Sequence, residues 1–178
     1  MILILDGIDK SGKSTFAKEL CKLFPFKVYK FTRKPKDDSK MERQKIKTHY
    51  LATLETIVQL PDIMHVFDRF HFSELAYSKK RGYEAMDDKW FFDILETKIK
   101  KHPHLVVYCF CEKEKILQRM IIEKEEYMEK EDLDEILARY EKVLGMSQLN
   151  IIKINTSDDA KINLRKVFDF YIKANFDG

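Results

Sequence analysis

The sequence carries Gly7-Ile8-Asp9-Lys10-Ser11-Gly12-Lys13-Ser14 near its amino terminus, a match to the pattern GxxxxGK[S/T] at every fixed position. Glycines in this pattern let the backbone curl, so that successive N–H groups point inward around a polyphosphate. A chance match in a chain of this length is well below ~1 in 100. Residues 7–14 are therefore interpreted as a phosphate-binding loop, called the phosphate loop below.

The residues on either side of the phosphate loop fit this interpretation. The apolar run at 2–5 predicts a buried strand before the loop, and apolar residues at helical spacing follow it. The positive end of that helix would face the bound anion. Lys13 can reach the β- and γ-phosphate oxygens, and the hydroxyl of Ser14 can bind Mg²⁺. We therefore expect the chain to bind ATP together with Mg²⁺.

Length and charge limit the possible classes of protein. The chain has 178 residues and a formal net charge of +3. No repeat or linker divides it, so we expect one domain over residues 1–178. Charged residues make up 35% of the chain but are balanced in sign, which argues against disorder. The small positive surplus gives no reason to predict a nucleic-acid partner.

Cysteine usage and hydropathy predict a location. Cys21, Cys109 and Cys111 form no CxxC pair, so we expect neither a disulfide framework nor a zinc site. The opening run MILIL is too short for a signal peptide and has no basic flank. No run approaches the roughly 20 apolar residues of a membrane helix. We therefore expect a cytoplasmic protein without a membrane partner.

Short apolar runs alternate with longer amphipathic ones along the chain. Strands are predicted at residues 2–5, 27–31, 63–67, 105–111 and 151–154. Helices are predicted at 14–24, 41–60, 70–78, 87–99, 112–120, 131–144 and 158–174. Such alternation is typical of an α/β fold in which helices cover both faces of a parallel sheet. Ligands bind beyond the carboxyl ends of these strands, which points to residues 6–14, 31–35, 68–73 and 155–157.

An acid and a base stand side by side at the end of the third predicted strand. Asp68 can hold Mg²⁺, directly or through water. Arg69 can bridge the donor and acceptor phosphates and offset the charge that develops during transfer. A surface pair that opens a helix, with Asp68 as its N-cap, would look the same in sequence. The chain has no NKxD segment, and it has no DxxG segment after the phosphate loop, where a GTPase switch would carry one.

Taken together, these segments resemble the thymidylate kinase family, within the nucleoside monophosphate and deoxynucleoside kinases. The matching segments are LDGIDKSGKST (5–15), FTRKP (31–35), DRFHFSELAYS (68–78), ILQR (116–119) and NTS (155–157). The resemblance implies a three-layer P-loop kinase fold, with a five-stranded parallel sheet flanked by helices and a short lid. It also implies transfer of the γ-phosphoryl group of ATP to a deoxynucleoside monophosphate, and a possible homodimer.

The resemblance also implies roles on the ATP side of the site. Lys10 falls where some family members carry an arginine that reaches the transferred phosphoryl group. Arg119, at the start of the lid, is the first candidate for a lid cation, and Lys124 is the second. Lys13 and Arg69 are expected to be catalytic with them. The residues expected to contact ATP are Gly7, Asp9, Lys10, Ser11, Gly12, Lys13, Ser14, Thr15 and Arg119.

On the acceptor side, the resemblance implies that Arg33 grips the acceptor phosphate and that Tyr50 stacks on the thymine base. Asp9 would approach the sugar hydroxyl. The other acceptor-site residues that it implies are Arg69, Phe70, Ser73 and Tyr77. The sequence departs from the family at Leu54, where an arginine that reads the base edge is expected. An apolar side chain cannot supply that hydrogen bond, so the base preference stays open.

The charge after the second predicted strand favours a monophosphate acceptor. A nucleoside kinase needs a carboxylate there to deprotonate a 5′-hydroxyl, whereas a monophosphate kinase needs cations. Arg33, Lys34 and Lys36 are basic, and the first acid is Asp37, although a solvated basic loop would look the same. We expect a deoxynucleoside monophosphate kinase that converts dTMP to dTDP. The alternatives are a thymidine-type deoxynucleoside kinase, with Asp9 or another acid as base, and a non-catalytic ATP-binding module.

Overall fold

A computed structural model describes residues 1–23, 26–30, 39–60, 63–123 and 128–176. Five strands lie within these ranges: β1 (Ile2–Asp6), β2 (Phe26–Lys30), β3 (Met64–Asp68), β4 (His104–Phe110) and β5 (Ile151–Asn155). They form one parallel sheet in the order β2-β3-β1-β4-β5. The predicted sheet is confirmed, and each strand lies within one residue of its predicted bounds at either end.

Helices cover both faces of this sheet. In the described ranges they are α1 (Lys13–Leu23), α2 (Lys40–Val58), α3 (His71–Ala76), α4 (Thr97–Ile99), α5 (Lys113–Ile122), α6 (Leu133–Met146) and α7 (Ala160–Phe176). Two 3₁₀ turns, Lys79–Arg81 and Lys130–Asp132, and a π-helical segment, Phe91–Glu96, complete the helical structure there. The predicted three-layer α/β architecture is therefore confirmed.

The alternation of side chains along β1 produces two cores. All five residues of β1 are buried, which is why this strand reads as an unbroken apolar run ending in one acid. Ile2 and Ile4 pack on one face with residues of α2, α3 and α6. Leu3 and Leu5 pack on the other face with residues of α1 and α7. Successive residues of a strand point to opposite faces, so one short strand anchors both helical layers.

Two helices are shorter than the sequence predicts. The helix predicted at 70–78 ends at Ala76, and the following 3₁₀ turn stops at Gly82, which has a left-handed φ of 86°. The helix predicted at 87–99 begins only near Phe91 and is π-helical at first. The carboxylate of Asp88 accepts the N–H of Trp90 at 3.2 Å. Such a local side-chain bond competes with helical backbone bonds and delays the helix.

Cys21, Cys109 and Cys111 are free thiols. In the described residues, no three or more His, Cys, Asp and Glu side chains are grouped so that they could hold a metal ion. The helices of this part of the chain are too short or too polar to cross a membrane.

Candidate active site

A cavity of about 330 Å³ lies beyond the carboxyl ends of β1 and β3. The two strands are neighbours, with Leu5 opposite Asp68, so the phosphate loop and the Asp68-Arg69 pair meet at one edge of the sheet. The described residues that line the cavity are Asp9, Lys10, Gly12, Lys13, Ser14, Thr15, Asp68, Arg69, Arg119 and Glu123. All of them except Glu123 are site residues predicted from the sequence.

The backbone of the phosphate loop is tightly constrained. Gly7 has a φ of 145°, and a Cβ there would collide with the carbonyl oxygen of Cys109. Gly12 has a φ of 85°, and a Cβ there would lie 2.7 Å from Oγ1 of Thr156. Lys10 has a left-handed φ of 63° although it is not glycine. The glycine spacing of the motif is therefore a requirement of this close packing as well as of the loop's curl.

Lys13 is a buried cation that forms no ion pair within the described part of the chain. The residue is 5% exposed and lines the cavity, and its ammonium has no hydrogen-bond partner among the described residues. Burial, and then repulsion from Arg69, lower the pKa of Lys13 from its ordinary value. An unpaired buried charge is unfavourable. Since the hydroxyl of Ser11 is also buried without a partner in the described structure, the loop fits an anion such as a polyphosphate.

Arg69 is held from several directions. Its backbone has a left-handed φ of 71°, and its N–H donates to the carbonyl of Leu5 at 2.9 Å. Its guanidinium is paired with the carboxylate of Asp9. The same group donates to the carbonyl of Gly7 at 3.2 Å and to Oγ of Ser73 at 3.0 Å. The arginine is thereby oriented at the cavity before any ligand is bound.

Ser73 and Tyr77 are buried and reach the cavity through these same groups. The hydroxyl of Tyr77 accepts the N–H of Asp9 at 2.9 Å. Its ring centroid lies 5.4 Å from the guanidinium carbon of Arg69, which is within the range of a cation–π contact. Ser73 thus contacts Arg69, and Tyr77 contacts both Asp9 and Arg69. Direct contact of Ser73 and Tyr77 with the acceptor stays a prediction.

Tyr50, on α2, and Phe70 lie in the same core. Their ring centroids are 4.7 Å apart in an edge-to-face arrangement, and Tyr50 also contacts Phe91 edge-on. Tyr50 is 3% exposed and Leu54 is 2% exposed. Neither Tyr50 nor Phe70 is one of the described residues that line the cavity, so base stacking by Tyr50 stays a prediction. Arg33 and Lys124, which the sequence also singled out, lie outside the described residues.

The cavity holds suitable oxygen ligands for Mg²⁺. The carboxylate of Asp68 and the hydroxyl of Ser14 both line it. The carboxylate of Asp68 has no hydrogen bond or ion pair within the described structure. Mg²⁺ commonly takes one or two carboxylates together with substrate phosphates. These residues therefore fit a magnesium ion that the nucleotide brings with it.

The start of the lid is joined to the phosphate loop. Arg119, on α5, donates to the carbonyl of Lys10 at 2.7 Å. The ammonium of Lys10 is paired with the carboxylate of Glu123 at 2.9 Å, just beyond the end of α5. Two predicted cations, Lys10 and Arg119, are thus brought together at the cavity, and an acid that the sequence did not single out accompanies them.

The sequence analysis placed Asp6 at the ligand-binding edge without giving it a role, and it missed Tyr140. Asp6 is fully buried, and its carboxylate accepts the N–H of Gly7 at 2.8 Å and the N–H of Phe70 at 3.0 Å. The hydroxyl of Tyr140, on α6, donates to the same carboxylate at 2.9 Å. An acid at the end of an otherwise apolar strand was an available signal for Asp6. Tyr140 gave none, because it follows the apolar periodicity of its helix.

Sequence comparison places the chain among nucleotide kinases. The family model described as "Thymidylate kinase" matches residues 46–167. The SPbeta prophage-derived uncharacterized protein YorR of Bacillus subtilis is 27% identical over 175 residues, which cover 97% of this chain and 99% of that protein. A "Probable thymidylate kinase" of Picrophilus torridus is 25% identical over 181 residues, which cover 87% of each chain.

Structural comparison finds the same architecture. The crystal structure of B. subtilis YorR in complex with phosphorylated GDP superposes with a TM-score of 0.71 at 24% identity, over 98% of both chains. Deoxyadenosine kinase from M. mycoides, with dCMP and a flexible dCDP bound, gives a TM-score of 0.62 at 15% identity, over 95% of this chain and 97% of that one. These likenesses establish the fold. Because the family model matches more than half of its residues, the chain belongs to the thymidylate kinase family.

Proposed function

We propose that the protein transfers the γ-phosphoryl group of ATP, in the presence of Mg²⁺, to a nucleoside monophosphate, and we favour dTMP as the acceptor. One observation carries this proposal: the buried ammonium of Lys13, which is unpaired among the described residues, and the fixed guanidinium of Arg69 share one cavity. Two cations in one enclosed site suit two phosphate groups placed end to end.

Positioning and charge stabilisation would supply the rate. Lys13 would bind the β- and γ-phosphate oxygens of ATP, and Arg69 would bridge the transferred group and the acceptor phosphate. Lys10 and Arg119 would add positive charge from the loop and the lid. When bound, Mg²⁺ would neutralise phosphate charge, and Asp68 and Ser14 are the groups that would hold it.

The pairing of the carboxylates supports an anionic acceptor. Among the described residues that line the cavity, Asp9 is engaged by Arg69 and Glu123 is engaged by Lys10. Asp68 is the carboxylate that we assign to Mg²⁺. Within the described lining of the cavity, a general base for a neutral 5′-hydroxyl would have to be one of these three groups, whereas an acceptor phosphate needs no such base.

The choice of dTMP rests on the family and needs a direct test. Leu54 is buried in the core, so it offers no hydrogen bond to a base. Purified protein should be assayed with ATP, Mg²⁺ and each natural monophosphate, and kcat/KM should be compared by the release of ADP. We expect the highest value for dTMP. A different preferred monophosphate would overturn the choice of base but not the reaction, and turnover with no monophosphate would overturn the reaction itself.

A deoxynucleoside kinase is the second candidate, because the carboxylate of Asp9 lies on the cavity and could serve as a base if it left Arg69. Thymidine and dTMP, supplied side by side with labelled ATP, distinguish the two reactions. Label that appears in dTMP from thymidine, with none in dTDP from dTMP, would favour this candidate.

A homodimer, which the family resemblance implies, stays a prediction that analytical ultracentrifugation can test.

A further inference from the structure

Tyr140 places a hydroxyl group beneath the phosphate loop. The residue is fully buried, and its hydroxyl donates to the carboxylate of Asp6 at 2.9 Å. The same oxygen lies 3.1 Å from the carbonyl of Gly7 and 2.8 Å from Oγ of Ser73. It is also 3.5 Å from the guanidinium of Arg69. One buried hydroxyl thus contacts the end of β1, the loop, α3 and the arginine beside the cavity.

This hydroxyl stays protonated at neutral pH. Burial, and then the nearby carboxylate of Asp6, raise the pKa of Tyr140 well above its ordinary value. The proton is therefore available for Asp6. The hydroxyl of Ser73 donates to the same carboxylate, and the oxygen of Tyr140 faces the guanidinium of Arg69. A buried carboxylate that receives several donors at once is held in one orientation.

The groups around Tyr140 include Arg69, which lines the cavity, and groups that hold the phosphate loop next to it. Gly7 opens the phosphate loop, and its carbonyl also accepts from Arg69 at 3.2 Å. The carboxylate of Asp6 accepts the backbone N–H of Gly7, the first residue of the loop, and that of Phe70, which directly follows Arg69. A shift of this carboxylate would therefore move the loop and the arginine relative to each other.

We propose that Tyr140 is a positioning residue for phosphoryl transfer, whose hydroxyl keeps Asp6, Gly7 and Arg69 in register. The inference rests on the proposed function. The ring of Tyr140 contributes separately from its hydroxyl, because it packs against Tyr108 at a centroid distance of 5.4 Å. A phenylalanine at position 140 would keep that packing and lose only the hydroxyl.

Tyr140→Phe and Tyr108→Phe form a matched pair for the test. Tyr108 is also buried, on β4, but its hydroxyl makes no hydrogen bond within the described part of the chain. Both variants should be assayed with ATP and the acceptor that the monophosphate panel identifies, after thermal unfolding shows that they are folded at the assay temperature. The quantities to compare are kcat and KM for each substrate.

We expect Tyr140→Phe to lower kcat by roughly 10- to 100-fold, because small displacements of catalytic groups cost about that much. The KM for ATP should stay within about twofold, since Lys13 and the loop N–H groups remain. Tyr108→Phe should behave like the unaltered protein. An unchanged kcat in Tyr140→Phe, an equal loss in both variants, or a raised KM with unchanged kcat would each overturn the proposal.

Crystal structures of the unaltered protein and of Tyr140→Phe, each with ADP, test the positioning independently of the acceptor. We expect the guanidinium of Arg69 to move away from the carbonyl of Gly7 in the variant. An unmoved arginine would overturn the inference, even if the proposed reaction is correct. A moved arginine would support it, even if the panel finds no phosphoryl transfer.

Discussion

The guanidinium of Arg69 is paired with the carboxylate of Asp9, although the two residues are 60 positions apart in the chain. Asp9 belongs to the phosphate loop, and Arg69 follows the third strand of the chain. Their pairing holds the phosphate loop and the Asp68-Arg69 segment next to each other. Two motifs that the sequence presents separately therefore line the same cavity.

Lys13→Met should remove activity and stabilise the ligand-free protein. Burial lowers the pKa of Lys13, so the folded state holds this charge less favourably than the unfolded chain does. Removing the charge should raise the free energy of unfolding at neutral pH by roughly 1 kcal/mol. Turnover should fall by at least about 100-fold, because the phosphates lose their cation. Urea denaturation and initial rates measure the two effects, and a less stable variant would contradict this prediction.

Arg69→Lys should be far from conservative. Lysine keeps the charge, but it cannot contact Asp9, Gly7 and Ser73 as the fork of donors on Arg69 does. We expect kcat to fall about 100-fold, with a smaller change in the KM for ATP. Arg165→Lys is a matched control, since that side chain is exposed and lies on α7. Equal kcat values for the two variants would rule out the role proposed for Arg69.

Glu123→Gln should strengthen the binding of ATP. The carboxylate of Glu123 engages Lys10 at the cavity and adds negative charge where phosphates would lie. Because the pair is partly exposed, the effect should be modest, with a KM for ATP about two- to threefold lower at low salt. Glu135→Gln, which alters an exposed pair with Lys79, is the control. A raised KM in Glu123→Gln would show that the acid assists binding.

Glu96→Gln should destabilise the fold. Glu96 is fully buried and accepts from His71, from the hydroxyl of Ser147 and from the N–H of Gln148, each at 2.8 Å. In a glutamine at position 96, the side-chain NH₂ group would replace one carboxylate oxygen and would face at least one of these donors without accepting its hydrogen bond. We expect a loss of about 2 kcal/mol in the free energy of unfolding. Glu141→Gln, on the exposed face of α6, should change it by less than about 0.5 kcal/mol.

Acid should weaken the fold partly through Glu84. Hydrogen bonds from Arg139 lower the pKa of Glu84 to about 2. A depressed carboxylate pKa stabilises the folded state above the ordinary value of 4.5, and this stabilisation is lost as the pH falls toward 2. Glu84→Gln should therefore flatten the pH dependence of stability in that window. The half-exposed side chain makes the effect small. If the pH dependence of the free energy of unfolding is the same in Glu84→Gln, Glu84 does not contribute to acid unfolding.

Local signals in the sequence determined the sheet and the phosphate loop. The loop pattern specifies where glycine is needed, and apolar runs specify buried strands, because both depend on residues close together in the chain. Strand ends were predicted to within one residue. Because ligands bind beyond the carboxyl ends of parallel strands, the sequence alone also predicted that residues 6–14 and 68–73 lie at one edge of the sheet.

Only the tertiary structure decided how the site is held. Tyr140 reaches Asp6 across 134 positions, and Lys10 reaches Glu123 across 113. Such contacts leave no local pattern in the sequence. The apolar periodicity around Tyr140 and the charged helix end around Glu123 would be the same whichever part of the protein these helices packed against. The amino-acid order therefore specifies which charged groups form the candidate site, whereas the orientation of its cations follows from hydrogen bonds between elements that meet only after folding.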